Sequence, residues 1–348
     1  MSYFESVKNT EIKKDAVILG IETSCDETAC AIVKGGREIL ADEIISSATE
    51  HVKFGGVVPE IASRAHTEAV YTVVERALKS ANLTLKDIDA IAVTYGAGLL
   101  GALLVGVSFA KTLAYSLNIP LIPVNHIRGH ISASYLADKT LQPPFISLLA
   151  SGGHTAIISV EDYYSHEILG STLDDAVGEA FDKVARVLGL NYPGGPNVER
   201  LAMEGKNEVP MPKMLKGLGG FNFSYSGLKT AVINFVHTKE QKGEEYSKAS
   251  VAHSFQHAAL DILVEKAIEG ALNKGYKTVV ACGGVSANGY LRELLQSKAK
   301  ENGLNCVLPE KRYCTDNACM IASEGYLQYL KGNFAPLTLN AKASIPLR

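Results

Sequence analysis

Residues 16–46 read AVILGIETSCDETACAIVKGGREILADEIIS, and residues 145–172 read FISLLASGGHTAIISVEDYYSHEILGST. Each opens with an aliphatic, β-branched run, breaks at small polar residues, resumes as a second run and turns into a third. In each, a cluster of small polar residues stands where the first hairpin closes. The likeness continues downstream, where DIDAIAVTYGAGLLGALL (87–104) and TVVACGGVSANGYLREL (278–294) are both strand, glycine turn and apolar helix. Helices over 59–82 and 247–273, with charges on one face, fill the space between. The chain therefore reads as α/β, a strand-strand-strand-helix-strand-helix unit used twice. Two unrelated α/β domains would give a similar pattern.

At 348 residues, two lobes are a better expectation than one core. Gln142-Pro143-Pro144 ends regular structure just before the second repeat, which divides the chain into lobes over 1–142 and 143–325. The proline-punctuated remainder, 326–348, reads as a surface segment. Six cysteines (Cys25, Cys30, Cys282, Cys306, Cys314, Cys319) form no CxxC pair, which suits reduced thiols in a cytoplasmic protein. Residues 1–15 carry no apolar signal core. The apolar run Leu99 to Ala110 stops at Lys111, too short to span a bilayer, so no membrane is expected. The net charge of −3 argues against tight unaided binding to nucleic acid. Basic clusters at Lys13-Lys14, Lys213 with Lys216, and Lys311-Arg312 read individually as solvated surface, so an RNA substrate would need partners to hold it.

Several groups could carry chemistry. His126 and His130, in His-Ile-Arg-Gly-His, share one face of a helix and can reach one metal ion; surface or capping histidines fit the spacing as well. Asp316, between a strand and an apolar helix, is a helix cap or a third ligand. Two imidazoles and a carboxylate leave coordination positions open and suit Fe(II) or Zn(II) as a Lewis acid. Glycine turns at Ser151-Gly152-Gly153, Gly194-Gly195 and Gly283-Gly284 expose amides able to cradle phosphate, and Asn288 closes the last of them. Asp182 is a ribose-binding carboxylate or an exposed helix charge. Asp26 and Glu27 are adjacent carboxylates in the first hairpin turn, available for acid–base work or for stabilising the turn. Ser224 and Ser226, alternating with aromatics before a helix, would cap that helix or hydrogen-bond a substrate.

The duplicated unit resembles the actin, Hsp70 and sugar-kinase superfamily. Eight segments in order sharpen the resemblance: GIETSCDET (20–28), GGVVPEIASRAH (55–66), NHIRGH (125–130), SGGHT (151–155), GEAFDKVARVLGLNYPGGP (178–196), FSYSGLKT (223–230), GGVSAN (283–288) and CTDNA (314–318). Together they resemble the TsaD/Gcp family of tRNA threonylcarbamoyl-adenosine synthases. The resemblance implies a two-lobed actin-like (ASKHA) fold with its active site in the interlobe cleft. It implies that His126, His130 and Asp316 hold one divalent metal ion per subunit, Fe(II) ahead of Zn(II). Leu149, Ala150, Ser151, Gly152, Gly153, Asp182, Gly195 and Asn288 would line the site for threonylcarbamoyl-AMP. Glu199, Ser224 and Ser226 would contact substrate or tRNA, and Asp26 and Glu27 would be the catalytic candidates. The acyl group would pass to N6 of the adenosine next to the anticodon, in tRNAs reading codons that begin with A. Expected partners are tRNA, a TsaB-like paralogue, a TsaE-like ATPase and a possible homodimer. Arg128, where several relatives carry an acidic or small residue, and Asn222, where aspartate is frequent, depart from the family pattern and touch only expected tRNA contacts. A zinc protease would need a glutamate beside the first histidine, where Ile127 stands.

Overall fold

The computed structural model describes residues 2–214 and 220–347; Lys216 of the second basic cluster lies outside them. The elements run α1 (Tyr3–Val7), β1 (Val17–Glu22), β2 (Glu27–Lys34), β3 (Glu38–Ser46), α2 (Ala48–His51), α3 (Pro59–Ala81), β4 (Ala90–Gly96), α4 (Leu100–Leu117), β5 (Leu121–Asn125) and α5 (His126–Ala137). They continue as β6 (Phe145–Ala150), β7 (Thr155–Val160), β8 (His166–Ser171), α6 (Val177–Val187), α7 (Gly194–Ala202), α8 (Ser226–Lys242), α9 (Lys248–Lys274), β9 (Thr278–Cys282), α10 (Gly289–Glu301), β10 (Asn305–Val307) and α11 (Ala318–Leu330). Two five-stranded sheets result, ordered β3-β2-β1-β4-β5 and β8-β7-β6-β9-β10. In both, the first three strands are antiparallel and the last two join in parallel. The same order and the same strand senses in both halves make this the duplicated unit of the actin-like fold.

The compact units are Met1–Leu141 with Asp316–Arg348, and Gln142–Thr315. Packing therefore divides the chain differently from 1–142, 143–325 and 326–348. The segment from Asp316 onward belongs with the first unit, because α11 lies on that unit's sheet and the tail after it pairs backbone there. Ala335 N donates to Leu121 O, and Lys342 N donates to Tyr95 O. Phe334, Ala335 and Ala341 are buried while most of the tail stays exposed, so it runs along the surface of the first unit as a strap anchored at those points.

The first sheet is covered on both faces, which is why its central strands are apolar almost without alternation. Leu19, Ile21, Ile91 and Val93 pack with Val73 of α3 and Leu103 and Val107 of α4. Ile18 and Ala92 face α11. Helix α4 extends the apolar run past Lys111 to Leu117; among the described residues it is the one helix long and apolar enough to cross a membrane. The run is thus longer than its sequence suggested, because Lys111 does not end it but reaches out to donate to Leu339 O. In the second unit, Ile146, Leu148 and Ile157 of the sheet pack with Phe181 of α6, Leu228 of α8, and Phe255 and Leu263 of α9.

Candidate metal centre and glycine-rich turns

Helix α5 starts at His126 because Asn125 caps it, its side chain accepting from Ile127 N at 2.9 Å. Both histidines fall in the first two turns and are buried. Asp316 reaches them from the chain just ahead of α11. It is not that helix's cap: Asn317 takes the role, accepting from Met320 N at 2.9 Å. That leaves the Asp316 carboxylate directed at the imidazoles, with Oδ1 at 3.5 Å from His126 Nε2 and 3.3 Å from His130 Nε2. A four-coordinate ion with bonds of about 2.0–2.1 Å holds neighbouring donors about 3.3 Å apart, so the spacing suits a shared ion. Among the described residues neither ring nitrogen of the buried His130 makes a well-formed hydrogen bond, Nε2 standing 3.3 Å from the Asp316 carboxylate. Buried polar atoms rarely go unsatisfied, and a bound cation would satisfy this one. His126, His130 and Asp316 form a group that could hold a metal ion.

Glu22, at the end of β1, completes the arrangement and is a residue the motif reading missed. It is fully buried; Oε1 accepts from Ser24 N, and Oε2 accepts from Thr94 Oγ1 at 2.7 Å and stands 3.2 Å from His126 Nδ1. A carboxylate there keeps the proton on Nδ1 and leaves Nε2 free to ligate, as behind many metal-bound histidines. Burial pushes the His126 imidazole down, but Asp316 and Glu22 outweigh it and lift it to about 9. A field that stabilises imidazolium also stabilises a metal cation. For His130, burial and the neighbouring His126 prevail over Asp316 and lower it. The signal for Glu22 was an acidic residue inside an apolar strand, since a charge is rarely buried without a partner.

Asp26 and Glu27 follow in the same hairpin turn. Burial, then Asp316, then Asp26 raise the Glu27 carboxyl above the usual carboxylate range. Ser46 Oγ donates to it at 3.4 Å. Arg128 is no surface residue available to tRNA: it is buried, with Nε 2.7 Å from Glu324 Oε1.

In the second unit the glycine turns gather at the carboxyl ends of β6 and β9, where ligands of parallel α/β sheets bind. Leu149 and Ala150 are buried in β6. Ser151 then closes the hairpin, its N donating to His154 O at 2.8 Å and its carbonyl accepting from Gly178 N of α6 at 3.2 Å. Gly152 and Gly153 are exposed, and a side chain at either would meet nothing within 4 Å. Gly283 has φ +87°, and a Cβ there would lie 2.5 Å from Ala150 O, so only glycine lets β9 turn beside β6.

The carboxylates at this end are occupied by backbone. Asp182 Oδ1 accepts from Gly194 N at 2.8 Å, which holds the Gly194–Gly195 turn; burial, partly offset by the amides of Gly194 and Gly195, raises its carboxyl. Asp182 is thus neither an exposed helix charge nor wholly free for ribose. Glu199 Oε1 accepts from Gly289 N at 2.8 Å and ties α7 to the start of α10. Asn288 caps α10, accepting from Leu291 N at 3.1 Å while its amide donates to Gln256 Oε1 at 2.9 Å.

Neither Ser224 nor Ser226 caps α8. Asp174 does, a second residue missed: it accepts from the amides of Tyr225 and Ser226 and from the hydroxyls of Ser224 and Ser226. Beside it, Asp175 pairs with Lys183 and Lys229, each at 2.7 Å. Two consecutive aspartates fifty residues from the serines give no sequence cue to this contact.

Comparison with known proteins identifies the family and the fold. The family described as TsaD, tRNA N6-adenosine threonylcarbamoyltransferase, matches residues 38–323. A Clostridium perfringens protein named tRNA N6-adenosine threonylcarbamoyltransferase is 52% identical over 332 residues, covering 95% of this chain and 98% of its own. Among solved structures, HypF of T. kodakarensis superposes with a TM-score of 0.63 at 17% identity, over 94% of this chain and 49% of HypF. An activator of 2-hydroxyisocaproyl-CoA dehydratase from Clostridium difficile, with bound ADPNP, gives 0.52 at 14%, over 90% of this chain and 96% of its own. At such identities the structural likeness speaks for the fold alone.

Proposed function

Because the chain belongs to the TsaD family of tRNA N6-adenosine threonylcarbamoyltransferases, we propose that it moves the threonylcarbamoyl group of threonylcarbamoyl-AMP to tRNA. The acceptor is N6 of the adenosine 3′-adjacent to the anticodon in tRNAs reading ANN codons, and AMP is released. The observation that carries the reading is the buried His126–His130–Asp316 group backed by Glu22.

His126 Nε2, His130 Nε2 and an Asp316 oxygen would hold the ion, with Fe(II) favoured over Zn(II). When bound, the ion supplies Lewis-acid stabilisation of the acyl phosphate's charge. Gly152, Gly153 and Gly195 offer backbone amides to the adenylate phosphate, a preorganised arrangement that needs no rearrangement during reaction. Leu149, Ala150, Asp182 and Asn288 frame the same turns, and Glu199, Ser224 and Ser226 hold the neighbouring segments in place. In the transfer the N6 lone pair forms a bond to the carbamoyl carbon. The bond from that carbon to the phosphate oxygen breaks, and AMP leaves with its electron pair. The amine proton passes to the adjacent carboxyl pair Asp26 and Glu27 of the first hairpin turn. An aromatic amine is a weak nucleophile, so positioning supplies much of the acceleration.

A TsaB-like paralogue and a TsaE-like ATPase would be the working partners. Exposed apolar residues on the helices of the first unit support a docking face: Tyr71 of α3, and Leu100, Leu104 and Tyr115 of α4. The same residues would serve a homodimer when the paralogue is missing. Its tRNA substrate assigns the work to the cytoplasm.

The test is nucleoside mass spectrometry of unmodified tRNA incubated with this chain, its partners and preformed threonylcarbamoyl-AMP. Threonylcarbamoyl-adenosine should appear with the wild-type chain and vanish with His126→Ala. Full activity in a folded His126→Ala or Asp316→Ala variant would overturn the role given to the trio.

A further inference from the structure

The two histidines ride on α5, and Asp316 enters α11, so the spacing of the trio depends on how α5 lies on α11. These helices meet through a buried polar network. Arg128 Nε donates to Glu324 Oε1 at 2.7 Å, Ser132 Oγ donates to Glu324 Oε2 at 2.7 Å, and Gln328 Nε2 donates to Glu324 Oε1 at 2.7 Å. Asn333 Nδ2 in turn donates to Gln328 Oε1 at 2.9 Å. Arg128 is 5% exposed and Ser132 and Glu324 are each 1% exposed, so solvent does not loosen these bonds. Beside them Gly129 lies against the Ile321 side chain, where a Cβ would come within 2.7 Å of Cδ1, so α5 presents no side chain of its own at this contact. Ser323 Oγ adds a bond to Gly36 O at 2.8 Å.

A buried ion pair adds little net stability over apolar residues of similar volume, so stability alone does not account for this one. What it does supply is direction. Arg128 and Ser132 stand four residues apart along α5, as His126 and His130 do, and one carboxylate bonds both. Sliding or turning α5 on α11 breaks one of those bonds and moves both imidazoles relative to Asp316.

We propose that Glu324 is a positioning residue: by bonding Arg128 and Ser132 together it sets the register of α5 on α11, and so the affinity of the trio for its metal ion. This rests on the reading of His126, His130 and Asp316 as metal ligands.

The experiment uses the full chain, purified metal-free, titrated with Zn(II) against a chelating dye and with Co(II) followed by its visible absorption. A wild-type chain that takes up no stoichiometric Zn(II) overturns the underlying metal reading, whatever Glu324 does. Given wild-type binding, the double variant Arg128→Met/Glu324→Leu should keep its unfolding temperature within a few degrees. Its Zn(II) Kd should rise by about tenfold or more, the range seen when outer-shell partners of a ligand are lost, and its Co(II) spectrum should shift. Val73→Ala, a core truncation on α3, should lower the unfolding temperature without moving the Kd. A folded double variant with wild-type Kd and Co(II) spectrum overturns the proposal. If that variant does not fold, Glu324→Gln and Glu324→Asp decide. The glutamine keeps the reach, its oxygen accepting from Arg128 and Gln328 and its NH2 donating to the Ser132 hydroxyl, which can accept as well as donate, and it should stay within about threefold of wild type. The aspartate, one methylene shorter, should bind about tenfold more weakly; equal affinities in the two overturn the proposal.

Discussion

Replacing Glu22 by glutamine changes almost nothing in volume and reverses the hydrogen-bond demand at one oxygen. In the native arrangement Glu22 only accepts: from Ser24 N, from Thr94 Oγ1, and across 3.2 Å from His126 Nδ1. An amide has one oxygen and one NH2. With its oxygen on Ser24, its NH2 faces His126 Nδ1 and favours the tautomer protonated at Nε2, the atom that must ligate. Turned over, the NH2 meets the Ser24 amide, donor against donor, in a site with no exposure. Either way a charge-assisted bond worth about 1.5–3 kcal/mol is lost or opposed. Since a tenfold change in affinity is about 1.4 kcal/mol, Glu22→Gln should weaken Zn(II) binding by about 10–100-fold, within the span found for outer-shell partners of metal-bound histidine. The assay is competition with a chromophoric chelator at pH 7.5, alongside circular dichroism to establish folding. A folded Glu22→Gln chain binding Zn(II) within twofold of wild type would refute the reasoning that Glu22 sets the His126 tautomer.

Asp174→Ala removes the acceptor for two amides and two hydroxyls at the start of α8, and should cost about 1 kcal/mol once solvent exposure is allowed for. Burial pushes the Asp174 carboxyl up, but the bonds from Ser224, Ser226 and Tyr225 outweigh it and hold it below the usual carboxylate range. The depressed folded value means its contribution is complete above about pH 4 and fades as pH falls further, so wild type and variant should converge in thermal melts at low pH. Gly283→Ala forces a side chain into φ +87° at 2.5 Å from Ala150 O and should cost about 1–3 kcal/mol, read as a lower unfolding temperature and weaker AMP binding by calorimetry. An unchanged melt would show that β9 turns with more freedom than this contact allows.

The doubled hairpins, the strand–glycine–helix runs and the His126/His130 pair were legible in the sequence, because each depends on residues close together in the chain. Aliphatic β-branched runs, turn residues and i, i+4 spacing are local physics, and they determined the α/β class, the duplication and two of the three members of the metal group. Everything carried by contacts between distant residues had to wait for the tertiary structure. The fold alone decided that Asn317, not Asp316, caps α11, and it was this that turned the Asp316 carboxylate towards the histidines. It decided that the segment after Asp316 packs with the first unit, since only there do Leu121 and Tyr95 offer backbone partners to the tail. It paired Arg128 with Glu324 across 196 positions and Asp174 with Ser226 across 52, separations at which no pattern in the chain reports who meets whom. Local preference sets what each segment becomes; which buried charge finds which partner is settled only when the segments pack, because leaving one unpaired costs more than any single propensity can return.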